Sequence, residues 1–135
     1  MGKDQLANVI PNSHPTPVQK IILLVEDNPI LSRIMLRTIE TCTPHRVIHL
    51  FDGAMILEKV KEHQPDLLML DYELPGKNGI ELYELVHATK GCEHIPAIII
   101  SADLPQREIT RRNLSCLPKP YKTGMLLEML KVMLV

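Results

Sequence analysis

Short apolar runs alternate with segments of helical period along most of the chain. Each run is four to seven residues long and rich in leucine or β-branched residues, and the residues that follow it include apolar ones at helical spacing. Because strands that alternate with helices form parallel sheets covered on both faces, the pattern predicts an α/β domain. The predicted strands lie at 20–26, 46–51, 66–71, 95–101 and 115–118.

Residues that favour helix starts stand between these predicted strands. An Asn or Asp before a helix accepts hydrogen bonds from the first amides, and a Glu or Gln three residues later completes a capping box. A proline fits the first turn, where its missing N–H is not needed. The predicted starts are Asn28 with Pro29, Asp52 or Gly53, Asn78 with Glu81, and Asp103 with Gln106, and a last helix is predicted over 123–134.

Length and charge narrow the class of protein. A chain of 135 residues with 45% apolar content suits one globular domain with a sizeable core. The formal net charge is -1 and the basic residues are scattered, so direct nucleic-acid binding is disfavoured. Three prolines lie among polar residues near the N-terminus, which predicts a tail or linker at 1–19 and a domain at 20–135.

Two further classes of protein are disfavoured by what the chain lacks. No apolar stretch reaches the roughly 18 residues of a membrane span, and the N-terminus has no long apolar core of a signal peptide. We therefore expect a cytoplasmic domain without membrane contact. The three cysteines lack the spacing of a zinc site or a disulfide framework, which predicts reduced thiols.

Chemically active side chains follow four of the five predicted strands. Glu26 and Asp27 end the first strand, Asp71 ends the third, Ser101 the fourth, and Lys119 follows the fifth. The carboxyl ends of parallel strands share one edge of a sheet, where ligands bind. Two adjacent carboxylates at a buried strand end repel each other, so a positive group is expected between them.

This set of side chains suits phosphoryl transfer. Oxygen ligands from three acids fit a hard divalent cation such as Mg²⁺, which would offset their repulsion. Phosphoryl transfer needs a nucleophile, in-line positioning and positive charge on the phosphoryl oxygens. Asp71 can be the nucleophile, Lys119 the fixed positive charge and Ser101 the hydroxyl donor to a phosphoryl oxygen.

At these residues the sequence resembles the receiver domain of two-component response regulators. The matching features are the "ED" pair at 26–27, "DYELPGKNG" from Asp71, "SA" at 101–102 and "KP" at 119–120, and the resemblance covers 20–135. It implies a flavodoxin-like, doubly wound sheet of five parallel strands in the order 2-1-3-4-5, with helices on both faces.

The resemblance also implies a function and a set of site residues. Asp71 would be phosphorylated by a histidine kinase or a histidine phosphotransfer protein, with the domain assisting its own phosphoryl transfer and autodephosphorylation. Mg²⁺ would be held by Asp27 and Asp71, with Glu26 assisting and the backbone carbonyl of Glu73 completing the protein ligands. Family members often hold the lysine-proline bond in cis, and Pro120 permits this after Lys119.

Two features depart from the family pattern. An aromatic residue usually stands three positions before the lysine and swings inward on phosphorylation, and Cys116 occupies that position. The stretch from Ser101 to Lys119 is also shorter than usual by about one helical turn. The phosphorylation chemistry is therefore expected to be intact, while the usual aromatic switch is absent.

Other functions remain open from the residues alone. A small haloacid-dehalogenase-like phosphatase also uses a strand-end aspartate, and a non-phosphorylated flavodoxin-like interaction module would need none of this chemistry. The receiver itself could stand alone as a single-domain regulator or belong to a hybrid histidine kinase. The last helix is apolar around most of its circumference, and an exposed flank at Met125, Met129 and Val132 would suit a homodimer.

Overall fold

Five parallel strands form the centre of the fold, in the spatial order β2-β1-β3-β4-β5. The computed structural model describes residues 18–135, and the predicted linker at 1–19 lies almost entirely outside them. The strands are β1 (Ile21–Val25), β2 (Arg46–Leu50), β3 (Leu67–Asp71), β4 (Ala97–Ser101) and β5 (Ser115–Pro118). The helices are α1 (Pro29–Cys42), α2 (Ile56–His63), α3 (Gly79–His87), α4 (Gln106–Arg112) and α5 (Thr123–Met133). The predicted doubly wound fold and its strand order are confirmed.

Two of the predicted helix caps are present. The side chain of Asn28 accepts hydrogen bonds from the backbone N–H groups of Ile30 and Leu31, and Pro29 stands in the first turn of α1. Asn78 and Glu81 form a complete capping box at the start of α3, each side chain accepting from the other residue's backbone N–H. These caps fix the directions in which the chain leaves the ends of β1 and β3.

Two other predicted helix starts are wrong. Helix α2 begins at Ile56 rather than at Asp52 or Gly53, because the Asp52 carboxylate accepts from Ala54 N–H and holds a tight turn before the helix. Helix α4 begins at Gln106 after Pro105, with no side-chain cap. Asp103 is two residues too early to cap it, and its backbone N–H donates to Ser101 instead.

The hydrophobic core fills both sides of the sheet. All five residues of β3 and all five of β4 are buried, which explains why every residue of these strands except the last is apolar. One core layer lies between the sheet and α2, α3 and α4, and the other lies between the sheet and α1 and α5. The central strands are thus rigid supports for whatever side chains stand at their ends.

Helix α5 packs as predicted on one side and differs on the other. Leu126, Leu130 and Leu134 are buried, while Met125 and Val132 are 45% and 64% exposed. Met129 was predicted on the exposed flank but is partly buried against the core layer under α1 and α5. The exposed apolar flank is therefore narrower than the helical wheel predicts.

Among residues 18–135, no helix is both long enough and apolar enough to cross a membrane. All three cysteines are free thiols, and Cys92 is buried. The predicted cytoplasmic location and the predicted domain boundary at residue 20 stay predictions.

Candidate functional site

Three carboxylates meet where β1 and β3 end side by side. Glu26 and Asp27 follow β1, Asp71 is the last residue of β3, and one ligand oxygen of each lies within 4.8 Å of the other two. Glu26 is fully buried and Asp71 is 1% exposed, whereas Asp27 is exposed. The cluster therefore has two buried acids and one that opens it to solvent.

Lys119 supplies positive charge to the two buried acids. Its ammonium nitrogen lies 3.1 Å from Asp71 Oδ2 and 3.4 Å from Glu26 Oε1. Burial disfavours the charged lysine, but the hydrogen bond to Asp71 and the negative charges of Glu26 and Asp71 outweigh it, so the pKa of Lys119 is raised. A positive group is thus present beside Glu26 and Asp71, but among residues 18–135 Lys119 forms no ion pair with Asp27, so it does not bridge the two adjacent acids as the sequence predicts.

One lysine does not fully compensate Glu26. Burial raises the pKa of Glu26 to about 7; the N–H of Asn28 acts against this rise, and the carboxylate of Asp71 adds to it. Glu26 Oε2 accepts from Asn28 N–H at 3.1 Å. Within residues 18–135, the buried oxygen Oε1 has no hydrogen-bond partner, because Lys119 reaches it only as an ion pair.

These residues fit a divalent cation. A buried carboxylate oxygen without a hydrogen bond, beside two further carboxylates, is a site that can accept a hard positive ion with oxygen ligands. The exposure of Asp27 leaves room for the water ligands that Mg²⁺ usually keeps. The donor set is all oxygen, which disfavours softer metals such as zinc or copper.

A hydroxyl lies on the other side of Asp71, at the end of β4. Ser101 is fully buried, and its Oγ donates a hydrogen bond to the Glu73 carboxylate. The same Oγ accepts from Asp103 N–H at 3.1 Å. Glu73 also donates its backbone N–H to Asp71 Oδ1 at 3.1 Å. Glu73 therefore contacts both the predicted nucleophile and the predicted hydroxyl donor.

Helix α3 approaches the end of β3 so closely that its first residue must be glycine. A Cβ placed on Gly79 would lie 2.6 Å from the carbonyl oxygen of Asp71, well inside normal contact distance. The N–H of Gly79 donates to the carbonyl of Tyr72 at 3.4 Å, which closes the loop between strand and helix. This contact fixes the backbone on which the Asp71 carboxylate stands.

An apolar cavity of about 480 Å³ adjoins Lys119, between the start of α1 and the loop before α5. Ile34 on α1 is 52% exposed at its rim, and Ile30 one turn earlier is 71% exposed. Burial, and to a smaller extent the charge of Glu26, raise the pKa of Tyr121 in the cavity wall. The lining residues are Leu31, Ile34, Ala102, Lys119, Pro120, Tyr121 and Thr123.

The structure brings the predicted site residues to one edge of the sheet, although their roles stay predictions. The Lys119–Pro120 peptide bond is cis, as the resemblance implied. Two features were not predicted from the sequence. They are the contact of the Glu73 side chain with Ser101 and the apolar cavity beside Lys119. The position of Glu73, two residues after Asp71 in a strand-end loop, was the only sequence signal for the first contact. The cavity left no sequence signal because its walls come from separate elements.

Comparison with known families identifies the class of protein to which this fold belongs, with its polar residues at the carboxyl ends of the strands. The family model of the response regulator receiver domain matches residues 22–131, which is most of the chain. The chain belongs to this family. The match favours the receiver interpretation over the phosphatase and over an interaction module unrelated to phosphorylation.

Individual relatives agree with the family assignment. The polar-differentiation response regulator DivK of Brucella ovis is 30% identical over 83 residues, which cover 62% of this chain and 67% of that protein. A chemotaxis response regulator of Vibrio cholerae superposes with a TM-score of 0.78 at 20% identity, covering 86% of this chain and 99% of that one. The receiver domain of a sensor histidine kinase from Pseudomonas aeruginosa gives 0.74 at 24% identity, covering 84% and 96%. At these identities the two structures support the fold alone.

Proposed function

We propose that this receiver domain accepts one phosphoryl group on the carboxylate of Asp71 and acts as a signalling switch in a two-component phosphorelay. One observation carries the proposal. Asp71 is 1% exposed at the end of the central strand, with two further carboxylates within 4.8 Å and the Lys119 ammonium 3.1 Å from its Oδ2. A structural ion pair would not need the second and third acids, which add repulsion.

The transfer step requires little from the protein beyond position and charge. A carboxylate oxygen of Asp71 attacks phosphorus, forming a P–O bond as the P–N bond to the donor histidine breaks, and the imidazole leaves as the neutral base after taking a proton from solvent. Lys119 offsets negative charge at the acceptor and orients it. Ser101, once released from its present partner, can donate a hydrogen bond to a phosphoryl oxygen.

We propose that the cation held by the acids is Mg²⁺. The carboxylates of Asp27 and Asp71, with Glu26 assisting and the backbone carbonyl of Glu73, are the proposed protein ligands. When bound, Mg²⁺ neutralises charge on the phosphoryl oxygens. The unpartnered Oε1 of Glu26 supports this proposal. The Pseudomonas aeruginosa receiver domain holds a magnesium ion in its active-site cleft, which is a further reason to test that metal first.

The domain's family implies that its partners are histidine kinases or phosphotransfer proteins. We propose that the donor protein docks over the apolar cavity beside Lys119 and the exposed side chains of Ile30 and Ile34. A surface there would place the donor histidine next to Asp71 and exclude water from the reacting atoms. The assignment to a single-domain regulator or to a hybrid kinase stays a prediction. Dimerisation through α5 also stays a prediction.

Acetyl phosphate tests the function without a partner protein. With Mg²⁺, the wild type should gain one phosphoryl group per chain as acetate is released, and Asp71→Asn should gain none. Asp66→Asn is the matched control, because Asp66 precedes the same strand at its opposite end and an asparagine can still accept from Ile21 N–H. Continuous release of inorganic phosphate at an enzymatic rate would favour the phosphatase instead, and no labelling of the wild type would contradict the proposal.

A further inference from the structure

The Ser101 hydroxyl is already committed to an acceptor in this structure. A hydroxyl has a single proton to donate, and Ser101 donates it to the Glu73 carboxylate. Its lone pairs also accept from Asp103 N–H at 3.1 Å, so the oxygen is held from two sides. Ser101 is fully buried and cannot find water as an alternative partner without moving. The hydroxyl therefore cannot donate a hydrogen bond to a phosphoryl oxygen until its bond to the Glu73 carboxylate breaks.

Glu73 is well placed to hold it. Its backbone N–H donates to Asp71 Oδ1 at 3.1 Å, so the loop that carries Glu73 is fixed to the nucleophile itself. Its side chain reaches across from the end of β3 to the end of β4. Glu73 forms no ion pair within the described part of the chain, since Lys119 lies against Asp71 and Glu26. Ser101 is the side-chain partner of its carboxylate.

We propose that Glu73 is a positioning residue that competes with the phosphoryl group for the Ser101 hydroxyl. This inference rests on the proposed function. In the unphosphorylated domain Glu73 holds Ser101 in its present arrangement. A phosphoryl group on Asp71 must displace the Glu73 carboxylate from Ser101 before the hydroxyl turns to it. Glu73 thereby weakens the coupling of phosphorylation to movement at the end of β4, acting through Ser101 rather than on the reacting atoms.

The test uses beryllofluoride, a stable mimic of the phosphoryl group, with Mg²⁺ and the whole chain. Glu73→Gln keeps the shape of the side chain and removes the charge that makes it a strong acceptor. We expect beryllofluoride to bind Glu73→Gln about tenfold more tightly than the wild type, the gain expected from weakening one charge-assisted hydrogen bond. Glu58→Gln changes the net charge equally on an exposed face of α2 and should bind like the wild type.

A double-mutant cycle separates competition from simple repulsion. If Glu73 acts through Ser101, its substitution should have little effect on beryllofluoride binding in the Ser101→Ala background. An equal gain with and without Ser101 would mean that Glu73 only repels the anion, and the inference would be overturned. Binding by the wild type with no gain for Glu73→Gln would overturn the inference while leaving the proposed function intact.

The unliganded protein gives a second readout that does not depend on the phosphoryl chemistry. The backbone N–H of Asp103 donates to Ser101 Oγ, so its NMR resonance reports how that hydroxyl is held. We expect the Asp103 amide resonance to move in Glu73→Gln and to be insensitive to the same substitution in Ser101→Ala. An Asp103 resonance that Glu73→Gln leaves unchanged would contradict the inference even if beryllofluoride failed to bind any variant.

Discussion

The two sides of Asp71 are built from different interactions. On the β1 side, buried charges face one another: Glu26 and Asp71 share the ammonium of Lys119. On the β4 side, a neutral hydroxyl bridges an exposed carboxylate and a backbone N–H, at Glu73 and Asp103. Loss of Lys119 would leave two buried carboxylates without a positive partner, whereas both partners on the hydroxyl side can be hydrated.

This difference indicates a division of labour. The charged side is rigid because Glu26 and Asp71 stand at the ends of two inner strands and both pair with Lys119. Such an arrangement suits binding a metal and a phosphoryl group in fixed positions. The hydroxyl side can rearrange at small cost, which suits a switch. Helix α4, which follows Ser101, has seven residues and no side-chain cap. The element next to the hydroxyl side is therefore less strongly stabilised than α1, which follows the charged side and has an Asn28 cap.

Removing one member from each side should give the largest contrast. In chelator at pH 8, Lys119→Met should lower the free energy of unfolding by about 3 kcal/mol, because it leaves two buried carboxylates facing each other. Ser101→Ala should cost about 1 kcal/mol, since Glu73 and the Asp103 N–H can be hydrated. Urea denaturation measures both. Lys122→Met, which removes an exposed lysine nearby, is the control and should be near neutral. Equal losses from the first two substitutions would contradict the comparison.

The charged side should also make stability depend on pH when no metal is bound. The pKa of Glu26 is about 7 in the folded protein against an ordinary value of 4.5, so between these pH values the folded chain holds a proton that the unfolded chain gives up. Stability should therefore fall as the pH rises through this window, by on the order of 3 kcal/mol. In Glu26→Gln this decline should be absent.

His45 affects the same measurement with the opposite sign. Burial, together with the charge of Lys20, lowers the pKa of His45, so its contribution to stability increases as the pH rises past its folded-state pKa toward and through 6.5. Because both proteins contain His45, the difference between wild type and Glu26→Gln removes its contribution. Urea denaturation from pH 4.5 to 8 in chelator gives that difference. A difference that does not change with pH would show that Glu26 is ionised throughout.

Metal binding should rank the acids within the charged side. Asp27→Asn should weaken Mg²⁺ binding by about tenfold, and Glu26→Gln should weaken it less, because Glu26 is assigned a supporting, partly water-mediated contact. The Glu26 Oε2 oxygen is already occupied by the Asn28 N–H, which agrees with that ranking. Calorimetric titration with Mg²⁺ measures both, with Asp66→Asn as the unchanged reference. A larger loss at Glu26 would reverse the assignment.

The smallest effect is expected far from both sides, on α5. Met125 is 45% exposed and Met129 is only partly buried, so Met125→Glu/Met129→Glu should change the free energy of unfolding by about 1 kcal/mol or less if neither position is in an interface. A dimer through this flank would dissociate in the variant, as measured by sedimentation. Lys131→Glu, on the exposed face of the same helix, is the control for charge. Wild type and variant that both sediment as monomers would remove the predicted homodimer.

The charged side was predictable from sequence, and the hydroxyl side only in part. Acids and a lysine directly after apolar runs are recognisable in the sequence, because charged residues rarely stand at buried strand ends without a functional reason. The parallel topology then brings Glu26, Asp71 and Lys119 together. The bond between Glu73 and Ser101 depends on where two loops lie in space. The predicted capping box at Asp103 is wrong for the same reason, because the position of the loop in space decides its contacts. The Asp103 N–H donates to Ser101, and helix α4 begins only at Gln106.

The position of the phosphoryl group is the most direct test of the account. Wild-type protein treated with acetyl phosphate and Mg²⁺ is reduced with borohydride, which converts an aspartyl phosphate to homoserine, and the peptides are mapped by mass spectrometry. The account predicts homoserine at position 71 and at no other aspartate, with the conversion lost in chelator. Homoserine at position 27 or at any other aspartate, or homoserine formation that persists undiminished in Asp71→Asn, would contradict it.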